Sequence, residues 1–520
     1  MARSIDSAFR FVVAGGGTAG WLSALWLRQQ FPFCHVTVID SSRIGIIGAG
    51  EGTVPPVVEF LQDININLSD LIRYCNTTIK LGIKFDRWSS DSRSSYYHSF
   101  AERDRFWYYQ DVAQNFGRPL FAFDDADSTR HHRLLDLCMD LDCVTMAPRL
   151  DDDFVNPDPR YRFQELARHA LHFDNFMLNR YLRSVATNFR QIYHVDAEIE
   201  GCELDANGNV QALRLQNAPA VGCDFVIDCT GLNRVVMGCL GDNAWHSYRD
   251  QLPVNSAVGF QRSLEPGCIP TFTGSQAMSS GWCWSIPTQA NLRCGYVFSS
   301  DHITPDRATE EIIAEHGTEV TIGKHFEFDA GHLERPWHRN CVAIGLANSF
   351  IEPLEATSIW QTTLALRSFT ENLPGMMEGN QYYRDRYNAK IKEDVEEIRD
   401  FVFFHYVTSR TDTDFWQHFH DRTLWPCRVR EIISAAESGY LPNWYDRIWG
   451  KRFPMSSWWE VGKGLGIFDA GRAKQLVQDL THTREGQLHS QQWSHFRQRT
   501  ELIMSSLIPH TEYLRFIKEN

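Results

Sequence analysis

The sequence predicts an α/β fold, α+β overall, in which a parallel β-α-β core carries inserted antiparallel strands and a helical C-terminal part. Three observations support it. Phe11-Val-Val-Ala14 and His35-Val-Thr-Val-Ile39 read as buried parallel strands on either side of a Thr18 to Gln30 helix. Two further sets of strands, Ile192 to Ile227 and Val254 to Phe298, are broken by the turn segments Asp205-Ala-Asn-Gly-Asn209 and Thr288-Gln-Ala-Asn291. From about Glu393 the apolar spacing becomes helical, as in Val395, Ile398, Phe401, Val402 and His405-Tyr406.

The N-terminal unit is also the strongest functional signal. Glycines at 15, 17 and 20 allow a sharp turn, a close approach of backbone N–H groups to a pyrophosphate, and tight contact between helix and strand. Asp40 lies twenty residues after Gly20, where a carboxylate can accept hydrogen bonds from an adenosine ribose. Strand, loop, helix, strand and acid fall in the order of a Rossmann-like dinucleotide module. Two later strand-to-turn segments, Asp224-Phe-Val-Ile-Asp-Cys-Thr-Gly231 and Val342-Ala-Ile-Gly-Leu-Ala-Asn348, favour FAD over a nicotinamide cofactor.

Between these segments the text is less regular. Residues 161 to 189 are expected to be helical. From Lys80 to Ala126 the chain is rich in aromatics, with Phe85, Trp88, Tyr96, Tyr97, Phe100, Phe106, Trp107, Tyr108 and Tyr109, and reads as irregular segments lining a site. With 520 residues, more than one structural unit is expected, set at 1–380 for the FAD module with interleaved substrate insertions and 381–520 for the helical unit.

Composition narrows the partners. The net charge of −14 disfavours nucleic acid or an anionic membrane, and 43% hydrophobic with 22% charged residues is the balance of a globular chain. No apolar run approaches a membrane span, and no signal-peptide core is visible near Met1. The thirteen cysteines contain no C-x-x-C pair, which points to reduced thiols, a cytoplasmic location and no metal site.

Gly281-Trp282-Cys283-Trp284-Ser285-Ile286-Pro287 carries W-x-W-x-I-P, and with it the chain resembles the flavin-dependent halogenases of the tryptophan halogenase family. Lys80-Leu-Gly-Ile-Lys-Phe85, Tyr97-His-Ser-Phe100, His172-Phe-Asp174, Phe350-Ile-Glu-Pro-Leu-Glu-Ala-Thr357, Ile398-Arg-Asp-Phe401, His405-Tyr406 and Arg410-Thr-Asp-Thr413 extend the resemblance over nearly the whole chain. It implies FADH2 supplied by a separate NADH-dependent flavin reductase, and reaction with O2 to a flavin hydroperoxide. Chloride or bromide is then oxidised to hypohalous acid, which passes through a tunnel to a lysine. The substrate implied is a small electron-rich aromatic, an indole or tryptophan-like compound, and a homodimer is left open.

The resemblance also assigns residues. Lys80 matches the family's lysine, whose ammonium can hold the oxidant or, when deprotonated by burial, form a haloamine; alone it would read as a surface lysine. Glu355 matches the glutamate that orients the oxidant or takes the ring proton, with Glu352 a competitor that chemistry alone does not exclude. The amides of Thr357 and Ser358 match the halide-binding pair. His98, Phe100 and Trp459 are assigned to the substrate, and Trp282, Trp284, Ile286 and Pro287 to the partition between flavin and substrate. A plain core pair is the alternative for the two tryptophans, and an ordinary loop histidine for His98. The cofactor set is Gly15, Gly17, Thr18, Ala19, Gly20, Asp40, Gly50, Gly231 and Leu346. The competing reading is an FAD-dependent aromatic hydroxylase, which shares the glycine loop but does not need Lys80, Glu355 and W-x-W-x-I-P together.

Overall fold

A computed structural model describes residues 5–45, 50–91, 94–100, 134–145, 169–241, 243–438, 447–468 and 507–519. Packing divides the chain into two compact units, and each is discontinuous. The first comprises Met1–Thr77, Phe173–Ser256 and Phe326–Arg399; the second comprises Thr78–His172, Ala257–His325 and Asp400–Asn520. This division differs from the expected 1–380 and 381–520. Residue 380 falls inside the first unit, because the Tyr382–His405 helix begins eleven residues before the expected Glu393 and stays with that unit as far as Arg399.

The first unit is built on a six-stranded sheet in the order Trp337–His338, Cys341–Ala343, Phe225–Asp228, Arg10–Ala14, His35–Asp40, Tyr193–Asp196. Every neighbouring pair is parallel except the first. Phe11, Val12, Val13 and Ala14 are all buried, as a central parallel strand covered on both faces requires. Val12, Ala14, Ile39 and Val226 share a core with Leu213, Val236 and Met237, each such side chain contributing about 1.5–3 kcal/mol of transfer free energy.

Two expectations are corrected here. The stretch from Ile192 to Ile227 holds hairpins only in its middle, where Ile199–Leu204, Val210–Leu215 and Ala218–Gly222 form an antiparallel sheet. Asp205 Oδ1 accepts from the Asn207 and Asn209 N–H groups at 2.8 Å and closes the first turn. The flanking strands Tyr193–Asp196 and Phe225–Asp228 join the parallel sheet instead; Phe225–Asp228 is buried throughout. The helix expected over 161–189 starts only at Asn175, since Ala170–Phe173 is a buried strand and residues 161–168 lie outside those described. Asp174 marks the change, its carboxylate capping the Phe176 and Met177 N–H groups at 3.0 and 3.1 Å.

The second unit contains a seven-stranded sheet in the order Thr321–Glu327, Ser256–Arg262, Leu292–Phe298, Gly281–Pro287, Phe272–Ala277, Gly82–Asp86, Ser95–Ser99. The Phe272–Ala277 and Gly82–Asp86 strands run parallel, joining the early and middle parts of the chain. The helix Met455–Gly464 packs on Ser95–Ser99, with Glu460 Oε2 accepting from the Ser99 N–H at 3.0 Å. Gly464 stands where a Cβ would meet the Tyr96 ring at 2.2 Å. Of the expected aromatic lining, Phe106, Trp107, Tyr108 and Tyr109 lie outside the described residues. Among the described residues no helix is long and apolar enough to cross a membrane.

Candidate active site

In the first unit three strands end level with one another: Ala14 is in register with Asp228, and Asp228 with Ala343. The carboxyl edge of a parallel sheet is where such folds bind ligands. Immediately beyond Ala14 the backbone of Gly15 takes φ +104°, and a Cβ there would lie 2.3 Å from the Cys229 carbonyl oxygen. A Cβ on Gly20 would lie 1.9 Å from the Gly15 oxygen, so helix and loop touch backbone to backbone. Gly17 differs, with nothing within 4 Å of its missing Cβ. The Thr18–Gln30 helix starts beside it with no side-chain cap and no acid in its first turn, leaving its N–H groups and positive end to an anion.

The other expected cofactor residues gather at the same edge. Gly231 (φ +69°) follows Asp228, whose buried carboxylate accepts from the Thr230 N–H at 3.0 Å and the Met237 N–H at 2.8 Å. Burial raises the Asp228 pKa, and its hydrogen bonds oppose that rise. Leu346 sits in the Gly345–Ala347 turn, held close by a Gly345 whose Cβ would meet the Ala19 side chain at 2.7 Å. Gly50 (φ +76°) donates from its N–H to Asn175 Oδ1 at 3.4 Å. The glycine cradle, the uncapped helix start and the aligned strand ends together fit an FAD pyrophosphate and its nucleotide.

Two residues at this edge escaped the sequence reading. His194 Nε2 is hydrogen-bonded to Asp40 Oδ1, while its Nδ1 accepts from Arg183 Nη2 at 3.2 Å; Nε2 therefore carries the imidazole proton. Asp40 is thus oriented, with Oδ2 held against the Gly16 backbone. Glu51 Oε2 accepts from the Thr18 hydroxyl at 3.3 Å, and burial pushes its carboxyl up to about 7. Neither was legible, because Asp40–His194 and Thr18–Glu51 are pairings between residues far apart in sequence, with no local spacing rule behind them.

Further along the same unit, Glu355 and Ala356 both have left-handed backbone, with φ 67° and 53°. For residues other than glycine this costs about 1–3 kcal/mol each and concentrates at functional positions. Glu355, Glu352 and Thr357 are all buried. The strained turn delivers the chain to Thr357, the N-cap of the Ser358–Met377 helix, which again has no side-chain cap and no acid in its first turn. That end suits a small anion. Thr357 itself is pinned, its hydroxyl accepting from Gln361 Nε2 at 3.3 Å.

In the second unit Lys80 ends the Thr78–Lys80 strand and is fully buried. Its Nζ stands 5.5 Å from the centroid of the Phe100 ring. On the strand paired to Gly82–Asp86, His98 is buried and meets Phe401 edge-on at 5.5 Å between centroids. Trp282 and Trp284 lie on one face of Gly281–Pro287 at 6.3 Å between rings. Trp284 occupies the space opposite Gly295, where a Cβ would lie 2.1 Å from the indole. Ile286 and Pro287 complete that buried strand. Trp459 lies on the Met455–Gly464 helix, stacked on Phe468 at 4.9 Å, and residues 439–446 lie outside those described.

The family model for tryptophan halogenase matches residues 10–481. The chain belongs to the tryptophan halogenase family. It is 31% identical over 462 residues to a 7-chloro-L-tryptophan 6-halogenase from Kutzneria, covering 83% of this chain and 85% of that one. A tryptophan 6-halogenase from Streptomyces toxytricini is 28% identical, with 80% and 81% covered. A solved flavin-dependent halogenase from Xanthomonas campestris superposes with a TM-score of 0.80 at 27% identity, over 98% of both chains. The protein is therefore a flavin-dependent halogenase, an enzyme that uses FADH2 and a halide, and the aromatic hydroxylase is not favoured. Flavin-dependent halogenases generally depend on a separate flavin reductase and act on an aromatic substrate.

Proposed function

We propose that this halogenase places chlorine or bromine on an electron-rich aromatic ring, an indole or tryptophan-like compound, by electrophilic substitution at Lys80. Reduced FAD, when bound, would supply two of the four electrons that take O2 to water, and the halide, oxidised by two electrons to the hypohalous level, gives the other two. The observation that carries the reading is the wholly buried Lys80 ammonium, 5.5 Å from the Phe100 ring and two residues beyond Thr78 on a strand end. Burial excludes bulk water, and an ammonium there donates hydrogen bonds to hypohalous acid, so the electrophile is held at one place instead of diffusing.

His98 and Phe100 stack on the substrate ring, with Trp459 as a further wall, and a flat electron-rich ring suits that clamp. Attack of the ring carbon on the halogen releases hydroxide, which takes a proton to leave as water. Glu355 orients the oxidant or accepts the proton lost when aromaticity returns. The Thr357 and Ser358 amides hold the halide, and Trp282, Trp284, Ile286 and Pro287 keep flavin and substrate apart. Gly15, Gly17, Thr18, Ala19, Gly20, Asp40, Gly50, Gly231 and Leu346 hold the FAD. Tryptophan as substrate is supported by the two curated relatives, both halogenases of tryptophan or its chloro derivative. An NADH-dependent reductase supplies the reduced flavin, and thirteen free thiols support a reducing compartment, the cytoplasm.

The test supplies FAD, NADH, a flavin reductase, chloride or bromide, and a panel of tryptophan, indoles, phenols and pyrroles, with products read by mass spectrometry. A halogenated ring is expected. A hydroxylated product without halogen overturns the reading.

A further inference from the structure

Two buried histidines of the second unit converge on the strand that carries Lys80. Proton counting fixes what each does. The Thr78 hydroxyl donates to the Pro287 carbonyl oxygen at 2.6 Å, which uses its single proton. It must therefore accept from His172 Nδ1–H, 3.2 Å away, and His172 Nε2 in turn accepts from the Thr273 hydroxyl at 2.8 Å. The chain Thr273, His172, Thr78, Pro287 ties the Lys80 strand to the end of the W-x-W-x-I-P strand.

His510 acts on the opposite edge. Its Nδ1 faces the Ile269 carbonyl oxygen at 2.9 Å and so carries the proton, which leaves Nε2 to accept from the Ile79 N–H at 3.1 Å. Strand pairing of Thr78–Lys80 with Ala170–His172 uses the other edge, so this imidazole replaces a missing strand neighbour. One residue beyond Lys80, the Leu81 N–H donates to the Thr271 oxygen at 2.7 Å. The backbone on both sides of Lys80 is thus fixed.

We propose that His172 and His510 are positioning residues for Lys80, uncharged imidazoles that hold its strand so that the ammonium meets the oxidant at one place. This rests on the Lys80 reading above. Burial keeps both neutral, and for His172 the Lys80 ammonium and His510 add to the effect. A charged imidazole would lose the acceptor that each arrangement needs.

The test is a crossed pair of amide substitutions in the full-length enzyme with FAD and reductase. Glutamine places its amide near Nε2 and asparagine near Nδ1. At 510, Gln keeps the acceptor for Ile79 and Asn does not; at 172, Asn keeps the donor to Thr78 and Gln does not. Expected are His510→Gln and His172→Asn within about threefold of wild-type kcat. His510→Asn and His172→Gln should lose about 10–100-fold in kcat, with little change in KM. The impaired pair should also release more oxidised halide to a soluble trap per flavin oxidised, a ratio that partial unfolding does not change.

Equal activity and equal release in all four variants overturns the proposal, as does an uncrossed loss that tracks folded protein, including failure of the impaired pair to fold. Lys80→Ala run alongside separates the two ideas. If it retains wild-type activity, the Lys80 reading fails; if it is inactive while the four variants are normal, only the positioning role fails.

Discussion

The Thr18 hydroxyl donates to Glu51 Oε2 across 3.3 Å, placing a half-buried carboxyl beside the first turn of the helix that follows the glycine loop. Burial raises that carboxyl from its ordinary 4.5 to about 7. The folded state therefore resists ionisation of Glu51. Stability is fullest below the unfolded value and declines as pH rises through about 7. Glu51→Gln, which cannot ionise, should melt above the wild type by about 2 °C or more at pH 8 and close to it at pH 5. Scanning calorimetry of the flavin-free protein checks this, and parallel melting curves at both pH values would contradict it.

The glycines of the loop should separate by what surrounds them. Gly15→Ala forces a Cβ to 2.3 Å from the Cys229 oxygen at a φ of +104°, so it should cost about 3 kcal/mol or more, or prevent folding. Gly17→Ala has an allowed φ of −71° and free space around it. It should fold normally and weaken FAD about tenfold by standing where the pyrophosphate approaches, as titration with FAD would show.

Glu355→Asn tests the strained turn. Asparagine tolerates left-handed backbone, so the melting temperature should stay within a few degrees of wild type. Loss of the carboxylate should lower halogenated product about 100-fold. Product formation at the wild-type rate would return the role to Glu352.

His510 supplies a signature at low pH. Its pKa is lowered to about 4 by burial, against the raising effect of its bond to the Ile269 oxygen. Its contribution to stability is complete above the ordinary value of 6.5 and is lost as pH falls through about 4. The Lys80 ammonium and His510 in turn oppose protonation of His172. Melting of wild type should fall between pH 6 and 4 more steeply than that of His510→Gln, followed by circular dichroism.

Much of this was legible because backbone geometry demanded particular residues. Gly15 and Gly20 sit where any Cβ would strike backbone, so the loop proposed to hold a dinucleotide is written in glycine. Trp282 and Trp284 alternate along a buried strand, so their shared face followed from spacing. The helix expected from 161 failed at Ala170–Phe173, where pairing with Thr78–Lys80 overrides local propensity. His510 was invisible for a related reason: its partner Ile79 is 431 positions away, and an imidazole that completes a strand edge leaves no local pattern.

Removal of the Lys80 side chain tests the proposed halogenation at that residue most directly. Lys80→Ala, given reduced FAD, O2, bromide and tryptophan or indole, should bind FAD within about twofold of wild type. It should oxidise reduced FAD at a similar rate and yield brominated ring product at least 100-fold more slowly by mass spectrometry. Brominated product within threefold of wild type, with the flavin bound as before, would contradict the account.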